Sequence, residues 1–135
     1  MKPRIILVED NPGDVGIIRR ALDRHLKSYD LEVIHNGSDA LRTFRSLESE
    51  AQAMPDLVVL DLNLPRVPGM EVLRYLRESL RLCAIPVIVA TSSDAVADRL
   101  GASLYRATFF TKPTDVASFM KIGQLVAEKL SMPSR

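Results

Sequence analysis

One cysteine, no tryptophan and an aromatic content of 5% remove several classes of protein at once. Cys83 has no partner for an internal disulfide and no Cys or His companion at a metal-ligand spacing, which fits a reducing compartment, the cytoplasm. An excess of charge of one sign is also missing: eighteen Lys plus Arg face seventeen Asp plus Glu, leaving a net charge of +1. No stretch interleaves clustered basic residues with aromatics, so nucleic acid is not the expected partner. Long hydrophobic runs are lacking too. After Met1-Lys2-Pro3-Arg4 the apolar run is broken at Glu9 and Asp10, too early for a signal-peptide core or a membrane span. What is present is 135 residues with 47% apolar content, the size of one domain able to bury a core without disulfides or structural metal.

Ile5-Ile6-Leu7-Val8 and Leu57-Val58-Val59-Leu60 are continuous in branched apolar residues, the mark of strands covered on both faces in a parallel sheet. Pro12 then suits the first position of a helix that carries Val15, Ile18, Leu22 and Leu26 on one face. Leu31 to Ile34 reads as a second strand ended by the turn pair Asn36-Gly37, and a helix from about Asp39 buries Leu41, Phe44 and Leu47. Pro65, Pro68 and Gly69 mark an ordered loop before a third helix with Leu73, Leu76 and Leu80 at helical spacing. Pro86 introduces a fourth strand, Val87 to Ala90, and Ser93 and Asp94 are caps for a weakly amphipathic fourth helix. Ala107 to Thr111 is the fifth strand, and a last helix buries Phe119, Ile122, Val126 and Leu130.

Five strand-helix units imply right-handed crossovers and a doubly wound α/β fold, for which the flavodoxin-like order 2-1-3-4-5 is the natural closure. In that order the first and third strands are neighbours. Glu9, Asp10 and Asp61 then converge at the carboxyl edge where strand order reverses, the place where such sheets bind ligands. Lys112 closes the fifth strand on the same rim.

Val8-Glu9-Asp10-Asn11, Leu60-Asp61-Leu62-Asn63-Leu64-Pro65 with Gly69 beyond it, Thr91-Ser92, and Lys112-Pro113 together resemble the receiver domains of two-component response regulators. The resemblance runs from Ile5 to about Leu130, with residues 131–135 as a tail and no output domain expected. The opening Val-Glu-Asp-Asn-Pro-Gly-Asp is similar to stand-alone receivers that partner phytochrome-type histidine kinases. The resemblance implies that a sensor histidine kinase donates a phosphoryl group, that Thr91 and the strand aromatic Phe109 switch in response, and that the Lys112-Pro113 peptide is cis. A Phe lacks the phenolic O–H, so the switch is expected to work by packing alone.

The chemistry has a basis in the residues themselves. Three close carboxylates repel one another unless a cation sits among them, and Mg²⁺ prefers oxygen ligands while keeping some waters. Asp10, Asp61 and the Asn63 backbone carbonyl are the expected direct ligands, with Glu9 acting through water. Asp61 is the expected phosphoacceptor, with Lys112 stabilising charge on the phosphoryl oxygens.

Taken singly, each residue has a plainer reading. Glu9 and Asp10 suit a positive helix terminus, Lys112 a solvated turn, Thr91 a cap and Phe109 the core. Placement of every polar group among them on one rim favours the functional reading. His25 and His35 read as surface residues, and Arg74, Arg77 and Arg81 as a solvated helix face. A haloacid dehalogenase-like phosphatase would need a second acid where Asn63 stands, and a flavin site would need a phosphate loop where Glu9 and Asp10 stand. A docking module that works without phosphorylation is the alternative function. Tyr105-Arg106 occupies the place where receivers usually carry Gly-Ala, and Gly101-Ala102 lies four residues earlier, which leaves the end of the fourth helix open. Output through protein contacts, including a homodimer across the fourth and fifth helices, is expected.

Overall fold

The computed structural model describes residues 2–50 and 53–132. The apolar runs form strands β1 (Arg4–Val8), β2 (Asp30–Ile34), β3 (Leu57–Leu60), β4 (Val87–Thr91) and β5 (Thr108–Thr111), all parallel and in the order β2-β1-β3-β4-β5. Between and after them lie α1 (Pro12–His25), α2 (Gly37–Ser49), α3 (Gly69–Glu78), α4 (Val96–Leu104), α5 (Val116–Phe119) and α6 (Ile122–Ser131). Alternate residues of a strand point to opposite faces, and the core divides accordingly. Ile6, Val8, Val58, Leu60 and Val89 pack with Phe44, Leu73 and Leu76 of α2 and α3. Ile5, Leu7, Val59, Ile88 and Ala90 pack with Ile18, Leu22, Phe119 and Val126 of α1, α5 and α6. Among the described residues no helix is long and apolar enough to cross a membrane.

Helix starts follow local chemistry where the polar side chain is available. Asn11 accepts the Asp14 backbone N–H at 3.1 Å ahead of Pro12, and Asn36 accepts the Asp39 N–H at 2.8 Å. Gly37 is the first residue of α2, two positions earlier than expected. A Cβ there would lie 1.9 Å from the Val67 carbonyl oxygen, so only glycine lets the loop after β3 cross so closely.

Four expectations are corrected. Leu80 lies beyond the end of α3 and is 95% exposed, because Ser79 has left the helical path. Arg77 is not solvated: its guanidinium turns inward onto the carbonyls of Tyr105 (2.6 Å), Ile85 (2.6 Å), Cys83 (3.1 Å) and Arg106 (3.3 Å). Arg74 and Arg81 are exposed as expected, Arg81 lying beyond α3 with its guanidinium on the Glu48 and Glu50 carbonyls. Ser93 and Asp94 do not cap α4, which starts at Val96 behind Ala95 as N-cap residue without a side-chain bond; Ser93 bonds Asp98 and Asp94 pairs with Arg99 instead. The last helix is divided at Met120-Lys121, beside a close approach of Gly123 to the Ala21 carbonyl of α1, and Leu130 is only half-buried. Ser131 belongs to α6, and residues 133–135 of the expected tail lie outside the described residues.

The end of α4 is now defined. Arg106 has φ 57°, with the Ala107 N–H on the Ala102 carbonyl and the Arg106 N–H on the Ser103 carbonyl. This is the Schellman arrangement, in which the left-handed residue is ordinarily glycine. Gly101-Ala102 lies inside the helix, so Arg106 takes the conformation that a glycine would adopt without strain.

Candidate functional site

Register decides which side chains meet. Val8 pairs with Leu60, so Glu9 and Asp61 leave adjacent strands at one level. The Asp61 N–H is bonded to the Val8 carbonyl at 3.0 Å, and the Glu9 N–H to the Ile34 carbonyl at 2.9 Å. Across the sheet Thr91 pairs with Thr111, and the Lys112 N–H continues the ladder onto the Thr91 carbonyl at 2.8 Å. The expected polar site residues Glu9, Asp10, Asp61, Thr91 and Lys112 thus stand on the carboxyl rim, while Phe109 pairs with Val89 further down the sheet. Gly69, at the start of α3, packs under the loop carrying Asp61: a Cβ would sit 2.1 Å from the Asp61 carbonyl oxygen.

Glu9, Asp10 and Asp61 each offer a carboxylate oxygen within 4.8 Å of the others. Glu9 and Asp61 are buried, whereas Asp10 is exposed. Burial pushes the Glu9 carboxyl up to about 7; the hydrogen bond from Lys112 opposes that rise and the neighbouring Asp61 charge adds to it. Asp61 Oδ1 accepts the Asn63 N–H at 3.1 Å, which fixes the carboxylate relative to the loop.

The Lys112 ammonium is the centre of the arrangement. Its Nζ lies 2.6 Å from Glu9 Oε1, 2.8 Å from Asp14 Oδ2 and 2.9 Å from Asp61 Oδ2, with its own side chain 7% exposed. Burial works against the charge, but bonds to Asp14, Glu9 and Asp61 outweigh it and hold the ammonium well above the ordinary lysine range. The Lys112-Pro113 peptide is trans, not cis as the resemblance implied. Trans is the intrinsically favoured isomer even before proline, by about 0.5–1 kcal/mol, and Lys112 reaches all three carboxylates with it.

Asp14 was missed in the sequence. It stands in the first turn of α1, where an acid is explained by the positive helix end alone. The available signal was its position four residues after Asp10, one helical turn above the rim.

Thr91 is fully buried at the end of β4. Its Oγ1 accepts the Ser93 N–H at 3.3 Å and lies 3.5 Å from Asn63 Nδ2. Phe109 is half-buried against the α2–α3 side of the core. The Arg99 guanidinium from α4 stacks over its ring at 4.7 Å and also donates to Thr111 Oγ1 at 2.8 Å. The expectation of packing alone is therefore amended: an exposed cation on α4 covers the ring and ties it to that helix.

The donor set fits a hard divalent cation. It is made of oxygen atoms only, two of its carboxylates are withdrawn from water, and the Glu9 carboxyl is disfavoured as an anion where it stands. Soft or tetrahedral metals would call for thiolates or imidazoles, which the cluster lacks.

Comparison with known proteins agrees with this geometry. A profile described as the response regulator receiver domain matches residues 5–123. The chain is 42% identical over 91 residues to the probable methanogenesis regulatory protein FilR2 of Methanothrix harundinacea, covering 67% of this chain and 59% of that protein. It is 30% identical to the response regulator Rcp1 of Synechocystis sp., over 89% of this chain and 83% of that one. The crystal structure of the phosphorylated cyanobacterial phytochrome response regulator RcpA superposes with a TM-score of 0.89 at 29% identity, covering 99% and 98% of the two chains. The chain spans about six tenths of FilR2 and nearly all of the RcpA chain. By its strand order, its acid and lysine rim and the profile match over most of its length, the chain belongs to the response regulator receiver domain family.

Proposed function

We propose that the chain is a single-domain response regulator that accepts a phosphoryl group on Asp61 from a sensor histidine kinase and signals through phosphorylation-dependent protein contacts. The observation that carries this reading is the Lys112 ammonium 2.9 Å from Asp61 Oδ2, between strands that end on one rim. An Asp61 carboxylate oxygen attacks phosphorus as the bond to the kinase imidazole breaks, and that bonding pair returns to the imidazole nitrogen. Lys112 offsets charge on the equatorial phosphoryl oxygens. Asp10, Asp61 and the Asn63 carbonyl would hold Mg²⁺, with Glu9 acting through water, and the bound ion would supply further neutralisation of charge on the phosphoryl oxygens. The chain assists its own modification and turns over no separate substrate.

Readout rests on Thr91 and Phe109. A phosphoryl group adds roughly −1.5 to −2 of charge and three acceptors, and the Thr91 hydroxyl is the nearby donor for it. Movement of Thr91 frees space beside Phe109, whose ring is coupled to α4 through Arg99. Val96, Leu100 and Leu104 form an exposed apolar stripe on α4, Val116 of α5 is exposed as well, and these side chains support a homodimer across the α4–α5 face. Similarity to phytochrome response regulators favours a phytochrome-type kinase as donor, with the reaction in the cytoplasm.

The competing reading, docking without phosphorylation, is separated by one experiment. Incubation with acetyl phosphate and Mg²⁺ is expected to add the mass of one phosphoryl group, stable to acid and labile to base. Asp61→Asn should abolish it. An unmodified wild type, or the same adduct in the variant, would overturn the phosphoacceptor reading.

A further inference from the structure

An ammonium group has three N–H donors, and in this chain all three are committed: Lys112 bonds Glu9, Asp14 and Asp61 together. Two of those partners belong to the acid cluster on the strand ends. The third, Asp14, comes from α1, and its direction is fixed by the helix start. Its backbone N–H is held by Asn11 Oδ1, and its carboxylate reaches the rim, with Oδ2 2.8 Å from Lys112 Nζ. For Lys112 to engage a phosphoryl group on Asp61, at least one existing bond must be redirected or released.

The three bonds are not equally easy to leave. The Glu9 carboxylate is buried and its contact with Lys112 is the shortest of the three, so leaving it would strand a charge away from water. Asp14 is 24% exposed at its side chain and can be rehydrated when its partner departs. The Asp14 bond is therefore the one that yields, and its strength enters the barrier to phosphorylation. Asp14 also adds a fourth negative charge to a site that must admit an anionic phosphoryl donor.

On the basis of the phosphoacceptor reading, we propose that Asp14 is a positioning residue that restrains the Lys112 ammonium, setting how fast Asp61 is phosphorylated and how long the phosphoryl group is kept. Asp14→Asn removes the charge at nearly constant shape, and Asp14→Glu retains it. With acetyl phosphate and Mg²⁺, Asp14→Asn is expected to form adduct roughly threefold to fivefold faster than wild type, the upper part of the range for a part-exposed ion pair, and to lose it more slowly by a similar factor. Asp14→Glu should return rate and lifetime toward wild type.

A second readout does not depend on phosphorylation. Removing one negative charge beside Glu9 and Asp61 should weaken Mg²⁺ binding measured by calorimetry, whereas a role confined to capping α1 would lower thermal stability and leave Mg²⁺ affinity unchanged. Adduct in wild type with equal or slower formation in Asp14→Asn, or with unchanged Mg²⁺ affinity, overturns the proposal alone. Absence of adduct in wild type overturns the phosphoacceptor reading with it, and the two failures are distinguished before any variant is compared.

Discussion

The carboxyl rim and helix α4 meet through Arg99, which stacks over Phe109 and donates to Thr111 Oγ1, yet they are held by opposite means. On the rim, Lys112 is fixed by three carboxylates from three different elements, and the inner strands β3 and β4 are buried on both faces. On α4, Ala102 is the one buried residue, and the large apolar side chains face outward. Few buried apolar contacts mean a low free energy of local opening, so α4 is the element of the pair that can move without dismantling the core. A rigid chemical centre beside a loosely held helix is the division a switch requires: charge changes at one, and surface changes at the other.

The comparison is broken most severely by removing the cation at the rim. Lys112→Met leaves the buried Glu9 and Asp61 facing each other without compensation, and loss of one partner from a buried pair costs about 3–5 kcal/mol. Urea denaturation of the metal-free protein should register that loss, and Mg²⁺ should recover part of it, because the fitting cation would replace the missing charge. Unchanged stability would show that Lys112 contributes chemistry without holding the rim together. The same experiment on α4 has no counterpart of this size.

The contrast also explains what the sequence made legible. Strand order, register and the convergence of Glu9, Asp10, Asp61, Thr91 and Lys112 were readable because continuous branched runs end in polar residues, and few topologies close five such units. Asp14 was hidden because a helix-start acid has a local explanation that masks a contact 98 residues away. Arg77 was hidden likewise: its place in a charged row on α3 suggested solvent, while its partners are backbone carbonyls that leave no trace in side-chain pattern. The trans Lys112-Pro113 bond contradicts an implication of family resemblance, and nothing in the residues themselves had required cis. Around α4, the end was left open by the sequence and the caps were misplaced, because Ser93 and Asp94 bond Asp98 and Arg99 side chains instead of the helix N–H groups.

A smaller effect sharpens the contrast at the far end of α4. Arg106 holds a left-handed conformation, φ 57°, that costs an L-residue with a side chain roughly 1–2 kcal/mol. Arg106→Gly should recover about 1 kcal/mol of it, since glycine gives back some gain through its freer unfolded chain. Thermal melting should shift upward while the Arg77 bonds to the Tyr105 and Ile85 carbonyls are kept. A downward shift would mean that the Arg106 side chain contributes more than its backbone strain removes.

The smallest effect on stability carries the largest consequence for recognition. Leu100→Gln with Leu104→Gln changes two exposed positions that contribute nothing to either core cluster, so folding stability should stay within about 0.5 kcal/mol of wild type. Phosphorylation of Asp61 should be equally unaffected, because the rim draws no support from those side chains. Self-association is expected to be lost: sedimentation velocity of the phosphorylated wild type should show a dimer, and of the double variant a monomer. A monomeric wild type would remove the proposed homodimer, and a dimeric variant would move its interface off α4. Either result would leave the chemistry of the rim intact, because that chemistry and the apolar stripe depend on separate sets of residues.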